Sequence, residues 1–284
     1  MLLAKTFKAT GAIQSGRLDL HLALTLNGDR ALGGSPLSLD IAGPFSRDAS
    51  GRPAADLTIT LTAASKTRTL GLDVVGGAVY VGIGGTFYVV PAHSLHMPGA
   101  GAGSTGGSGA SGLLSSLGID PRSWLTNPHG AGTATVGGVA TDHFTAGVDV
   151  QKMFADLSKL IQRRLSGATG ASGSPSTLTS ELQLAASAIT SAQLDVYTGV
   201  ADHVLRRVHV AVAFKVPAIA SSFVNGLTGG SLDFDATLTA LNAPQTITAP
   251  ANPQPFTAIG GALRALGLGL GAGPLARLPL TTLG

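Results

Sequence analysis

The segment RLDLHLALTLN sets Leu18, Leu20, Leu22, Leu24 and Leu26 at every second position, with Arg17, Asp19, His21, Ala23 and Thr25 between them. Alternate side chains of a strand point to opposite faces, so the segment predicts a strand with one covered face and one wetted face. The pattern recurs in PLSLDI (Leu37, Leu39, Ile41), DLTITLT (Leu57, Ile59, Leu61) and TLGLDV (Leu70, Leu72, Val74). Turn-rich spacers such as NGDRALGGS and RDASGRPAA separate these runs. Antiparallel hairpins are the economical way to connect them.

Residues 76–91, GGAVYVGIGGTFYVVP, add two short strands near 78–83 and 86–90, with Gly84-Gly85 as the turn. Glycine tolerates the positive φ that a two-residue hairpin turn requires. After Pro91 the alternation stops, and 99–112 reads as a low-complexity Gly/Ser loop followed by the short helical piece LLSSLGI. A hairpin then turns at Gly137-Gly138, and Asp149 is placed to cap a helix, VQKMFADLSKLIQRRL. A second Gly/Ser loop, at 167–175, leads to a weaker helix near 177–189. Three more strands follow: AQLDVYT, HVLRRVHVAVAFKV and SLDFDATLTAL. The expected fold is α+β: a long curved antiparallel sheet of about eleven strands, a half-barrel, with helices on its concave face. One domain over 1–256 and a Leu/Gly-rich tail over 257–284 complete the organisation.

Composition narrows the function classes. The 284-residue chain is 44% hydrophobic but only 12% charged and 5% aromatic, so its apolar mass is aliphatic. Net charge is +3 with no basic stripe, which argues against nucleic acid. There is no cysteine, which excludes thiol catalysis, thiolate zinc and disulfides. The start MLLAKTFKATGAIQ lacks the apolar core of a secretion signal, and no apolar run is long enough to span a bilayer as a helix. Gly101, Gly103 and Gly106 match a dinucleotide fingerprint only inside the Gly/Ser tract, with no strand before them. His93 and His96 lack a third ligand nearby, so no metal and no cofactor is expected. Asp233 and Asp235 read as a solvated outer face beside Arg207, and His21, His143 and His209 as polar-face residues. No catalytic constellation is visible, and the chain is not expected to be an enzyme.

Four stretches, in this order, carry a resemblance. They are LLAKTFKATGAIQSGRLDLHLALTL, VGGAVYVGIGGTFYVVP, VGGVATDHFTAGVDV and LDVYTGVADHVLRRVHVAVAF. Together they resemble the LppX/LprG-type actinobacterial lipoproteins, relatives in fold of the LolA/LolB lipoprotein carriers. Phe87 stands where that family commonly has Trp or Tyr, the Gly/Ser insertions are unusually long, and the tail beyond 256 has no counterpart. The resemblance implies a half-barrel that carries acylated lipids or glycolipids across the cell envelope. It also implies an extracytoplasmic lipoprotein, anchored to a membrane surface through an N-terminal cysteine that this chain lacks, with an envelope transport partner. A sensor or interaction protein on the same fold is the alternative.

Acyl chains leave water at a gain of about 0.8 kcal/mol per methylene, so a carrier needs an apolar hollow its own side chains do not fill. The alternating runs nominate Leu22, Leu24, Ile59, Leu61, Leu72 and Val74 from one half of the sheet, and Val210, Val212, Phe234 and Leu238 from the other. Phe154, Leu157 and Ile161 are the expected lining on the helix side. Each of these positions reads equally as ordinary core. The two Gly/Ser loops read as inert insertions or as gates.

Overall fold

The computed structural model describes residues 13–28, 36–47, 50–63, 66–91, 124–152, 188–217 and 226–265. The first six strands form a meander: β1 (Ser15–Asn27), β2 (Leu37–Arg47), β3 (Pro53–Ala63), β4 (Lys66–Val75), β5 (Ala78–Ile83) and β6 (Thr86–Val90). A second run comprises β7 (Leu125–Val136), β8 (Val139–Val148), β9 (Ile189–Gly199), β10 (Leu205–Lys215) and β11 (Gly229–Thr239). The two runs join into one sheet of order β12-β6-β5-β4-β3-β2-β1-β11-β10-β9-β8-β7. Its seam is the antiparallel pairing of β1 with β11, where Leu22 stands opposite Phe234.

The alternation predicts about eleven strands; the described residues form twelve. The addition is β12 (Gln254–Pro255), which pairs in parallel with β6 and covers that edge. Two residues ending in proline carry no alternation to detect, so periodicity could not find this strand. A 3-10 turn (Phe256–Ala258) and a short helix α1 (Ile259–Ala265) follow. Helical residues at 150–152 begin where expected, and the Asp149 carboxylate accepts the Lys152 backbone N–H at 2.9 Å. The rest of that helix, the helix near 177–189 up to residue 187, both Gly/Ser loops, His93 and His96 lie outside the described residues.

Local chemistry explains two departures from a plain ladder. β2 runs on through Gly43-Pro44, a pair that reads as a turn, because Gly43 adopts φ 154° and lets the backbone of β3 close in. A Cβ at Gly43 would lie 2.0 Å from the Asp56 carbonyl oxygen. At the opposite edge β7 pairs only with β8 and carries Pro128, a left-handed Asn127 (φ 47°) and two shifts of register. Irregularities of this kind blunt an edge that would otherwise template further strands. The Gly84-Gly85 corner turns with φ 57° and 83°, as its sequence predicts.

Candidate ligand-binding face

Period two and the observed register together put the aliphatic residues on one face in continuous rows. One row runs Leu61, Leu39, Leu22, Phe234, Val210, Leu194, Ala146 across seven neighbouring strands, β3 to β8 through the seam. The next runs Ile83, Leu70, Ile59, Ile41, Leu20, Ala236, Val208, Val196, Phe144 across nine. At about 4.8 Å per strand, nine strands span roughly 38 Å. A third row links Leu37, Leu24, Leu232, Val212 and Ala192. Leu72 joins Leu57, Val81 and Tyr88, Val74 joins Ala55, Val79 and Val90, and Leu238 stands opposite Leu18.

All ten described residues that the sequence nominated therefore share one face. Phe154, Leu157 and Ile161 lie outside the described residues. Leu20, Leu39, Ile41, Leu194 and Val208 were not among the nominated residues, although Leu20, Leu39 and Ile41 belong to the alternating runs; they lie in the same rows as the nominated positions.

Burial is uneven along these rows. Fully buried aliphatic positions occur toward the flanks, at Ile83 and Val90 on one side and Ala146 and Val196 on the other. Between them, Leu22, Leu24, Ile59, Leu72, Val74, Val210, Val212, Phe234 and Leu238 are only half-buried, and Leu61 is 36% exposed. Full burial of such a side chain is worth about 1.5–3 kcal/mol. The centre of the face thus keeps part of its apolar surface exposed, where the flanks do not.

The opposite face is polar and internally paired. His21 Nδ1 lies 2.6 Å from Asp40, His143 Nε2 2.8 Å from Asp195, and His209 Nε2 2.9 Å from Asp233. Arg207 Nε donates to Asp235 at 2.7 Å, as the sequence suggested, and its guanidinium sits over the Tyr197 ring, which stacks on His143 at 4.3 Å. The hydrogen bond to Asp40 raises the His21 pKa against a smaller cost of burial. For His209 the bond to Asp233 does the same, with Asp195 adding to it. Burial alone would raise the Asp195 carboxyl, but bonds from His143, Thr145, His209 and Gln193 together hold it below the usual range.

Two polar groups are less well served. Asp73 is 5% exposed, faces Asp56 across the β3–β4 ladder, and has one carboxylate oxygen with no partner. Burial, and secondarily the charge of Asp56, pushes its pKa up to about 6. At the β9–β10 turn the buried Arg206 pairs with Asp202, while its Nε and the Nδ1 of the left-handed His203 have no partner. Among the described residues no group of three or more His, Asp or Glu could hold a metal ion. No described helix is long and apolar enough to cross a membrane.

The fold thus defines a mostly-β protein built on one large, largely antiparallel sheet with an apolar face and a polar face. The chain is similar in structure to LprF from Mycobacterium bovis, at 16% identity over 88% of this chain and 96% of that one, with a TM-score of 0.43. It is likewise similar to the Mycobacterium tuberculosis lipoprotein LppX, at 14% identity over 87% and 96%, with a TM-score of 0.39. The MucA/MucB complex of Pseudomonas aeruginosa matches 88% of this chain and 58% of its own, at 10% identity and a TM-score of 0.30. No family model and no curated protein matches the sequence.

Proposed function

We propose that this protein binds acylated lipids, glycolipids or lipoproteins and carries them within the cell envelope, without catalysing a reaction. The observation that supports this reading is the broad apolar face whose central side chains are only half-buried. A face packed as an ordinary core excludes a guest, because protein interiors approach crystal density. A face left half-open accepts one, and each methylene that leaves water for it contributes about 0.8 kcal/mol. In this reading the sheet is the curved wall of a half-barrel. The resemblance of four sequence stretches to LppX/LprG-type lipoproteins supports an envelope location and a transport partner for this reading.

The test is mass spectrometry of an organic extract of the purified protein, beside an unrelated protein prepared identically. A stoichiometric, enriched acylated lipid is the expected result, and Val210→Asp, which plants a charge within the seven-strand apolar row, should abolish the enrichment while leaving the β-sheet spectrum intact. Absence of enrichment together with no binding of a fluorescent acyl probe would overturn the proposal and favour a sensor or interaction role.

A further inference from the structure

On the polar face one row alternates acid and base across the seam: Asp40, His21, Asp235, His209 and Asp195 stand opposite one another in turn on β2, β1, β11, β10 and β9. His209 has a carboxylate at each ring nitrogen, with Nε2 2.9 Å from Asp233 of β11 and Nδ1 3.5 Å from Asp195 of β9. A neutral imidazole has a single N–H and can donate to only one of these acids, leaving its lone pair facing the other. Only the imidazolium donates to both. We propose that His209 is a proton-operated strap that ties β9 to β11 across β10 when charged and releases one of them when neutral.

The surroundings suit that role. From β9 the groups facing His209 are Asp195 and Tyr197, and from β11 they are Asp233 and Asp235. On its own strand Arg207 is committed to Asp235 and Lys215 lies at the far end. The carboxylates therefore outnumber the free cations, and the pKa of His209 is raised from 6.5 accordingly. His143 bonds the other oxygen of Asp195, so the strap reaches β8 as well. The neighbours of His209 in sequence, Val208 and Val210, lie in the two longest rows of the apolar face. Proton loss on one side of β10 thus loosens the wall on the other. The sign follows from the raised pKa: the stabilisation is complete below the unfolded value of 6.5 and is lost as pH rises through the higher folded value.

The experiment is thermal unfolding of the intact protein between about pH 6.5 and about pH 8.5, the window in which a histidine with a raised pKa titrates. The melting temperature of the wild type should fall across this window. His209→Gln should lower it at the acid end and flatten the slope. His129→Gln, on the exposed β7 and bonded only to the carbonyl of Asn127, should leave the slope unchanged. An NMR titration of His209 should give a pKa above 6.5 that drops in Asp233→Asn, which also serves if His209→Gln does not fold. His21, whose pKa is raised as well, leaves a residual slope in His209→Gln; a wild-type slope that survives there undiminished, or a His209 pKa at or below 6.5, overturns the strap.

Discussion

Asp73→Asn should make this protein more stable at neutral pH, with a gain that fades as the pH falls toward about 4. The wild-type carboxyl is 5% exposed, has an unpartnered oxygen and faces a second acid, Asp56. Its pKa of about 6 lies roughly 2 units above the ordinary 3.8. At 1.36 kcal/mol per unit, ionising it in the folded state costs a ceiling of about 3 kcal/mol. Water drawn toward the charge lowers the expected figure to about 1–2 kcal/mol. The folded state holds its proton more tightly than the unfolded chain, so stability is greatest, for this group, below about pH 4. It falls between about pH 4 and pH 6 and is flat above that. Asparagine keeps the shape and never ionises, so the variant lacks this loss. Urea unfolding of both proteins at about pH 3.5, 5 and 7.5 measures the difference directly. It should be near zero at the first pH, intermediate at the second and complete at the third. An equal difference at all three, or a less stable variant at the highest pH, would refute the reasoning, because either result means that the ionised carboxylate is satisfied in the fold.

Three further outcomes follow from the same geometry. Phe234→Ala should cost only about 1–2 kcal/mol, below the 3–5 typical of a packed core phenylalanine, while weakening the binding of a fluorescent acyl probe in a titration. Gly82→Ala places a Cβ 2.8 Å from the Phe87 ring, so denaturant unfolding should show a loss of about 1–3 kcal/mol that Phe87→Ala in the same chain partly relieves. Asp202→Asn leaves the buried guanidinium of Arg206 without its counter-charge; a loss of about 1–3 kcal/mol is expected in the same assay, since Asp202 itself is 44% exposed.

Strand faces were legible in the sequence because period two is a local signal. Leu18 to Leu26 define a face without reference to any partner, and the ten described residues nominated from the sequence share one face of the sheet. Partners were not legible, since alternation does not say which strand lies beside which. The seam between β1 and β11 joins positions such as Leu22 and Phe234 that no local pattern connects. The same limit applies to the polar side: His209 and Asp233 could be assigned to a polar surface, but the second carboxylate at Asp195 required the β9–β10 register. Gly43-Pro44 shows another limit. Its residues favour a turn, and only the close approach of the Asp56 carbonyl shows why a strand uses them. Depth of burial was invisible as well, because a half-open face and a sealed one present the same aliphatic stripe.

The seam carries a consequence for synthesis of the chain. Of the described strands β1 is the earliest made, and its partner in β11 comes 212 positions later, as the pair Leu22 and Phe234 (234 − 22) shows. At translation rates of about 5–20 residues per second, that separation corresponds to roughly 10–40 s. For that time the edge of the nascent meander at β1, bearing a long leucine stripe, stays bare until β11 arrives to close it, while the edge at β6 waits for β12. Long-range pairings of this kind fold slowly and expose aggregation-prone strands while they wait. The strand that organises the finished sheet is therefore the one that most needs shelter while the chain is being made.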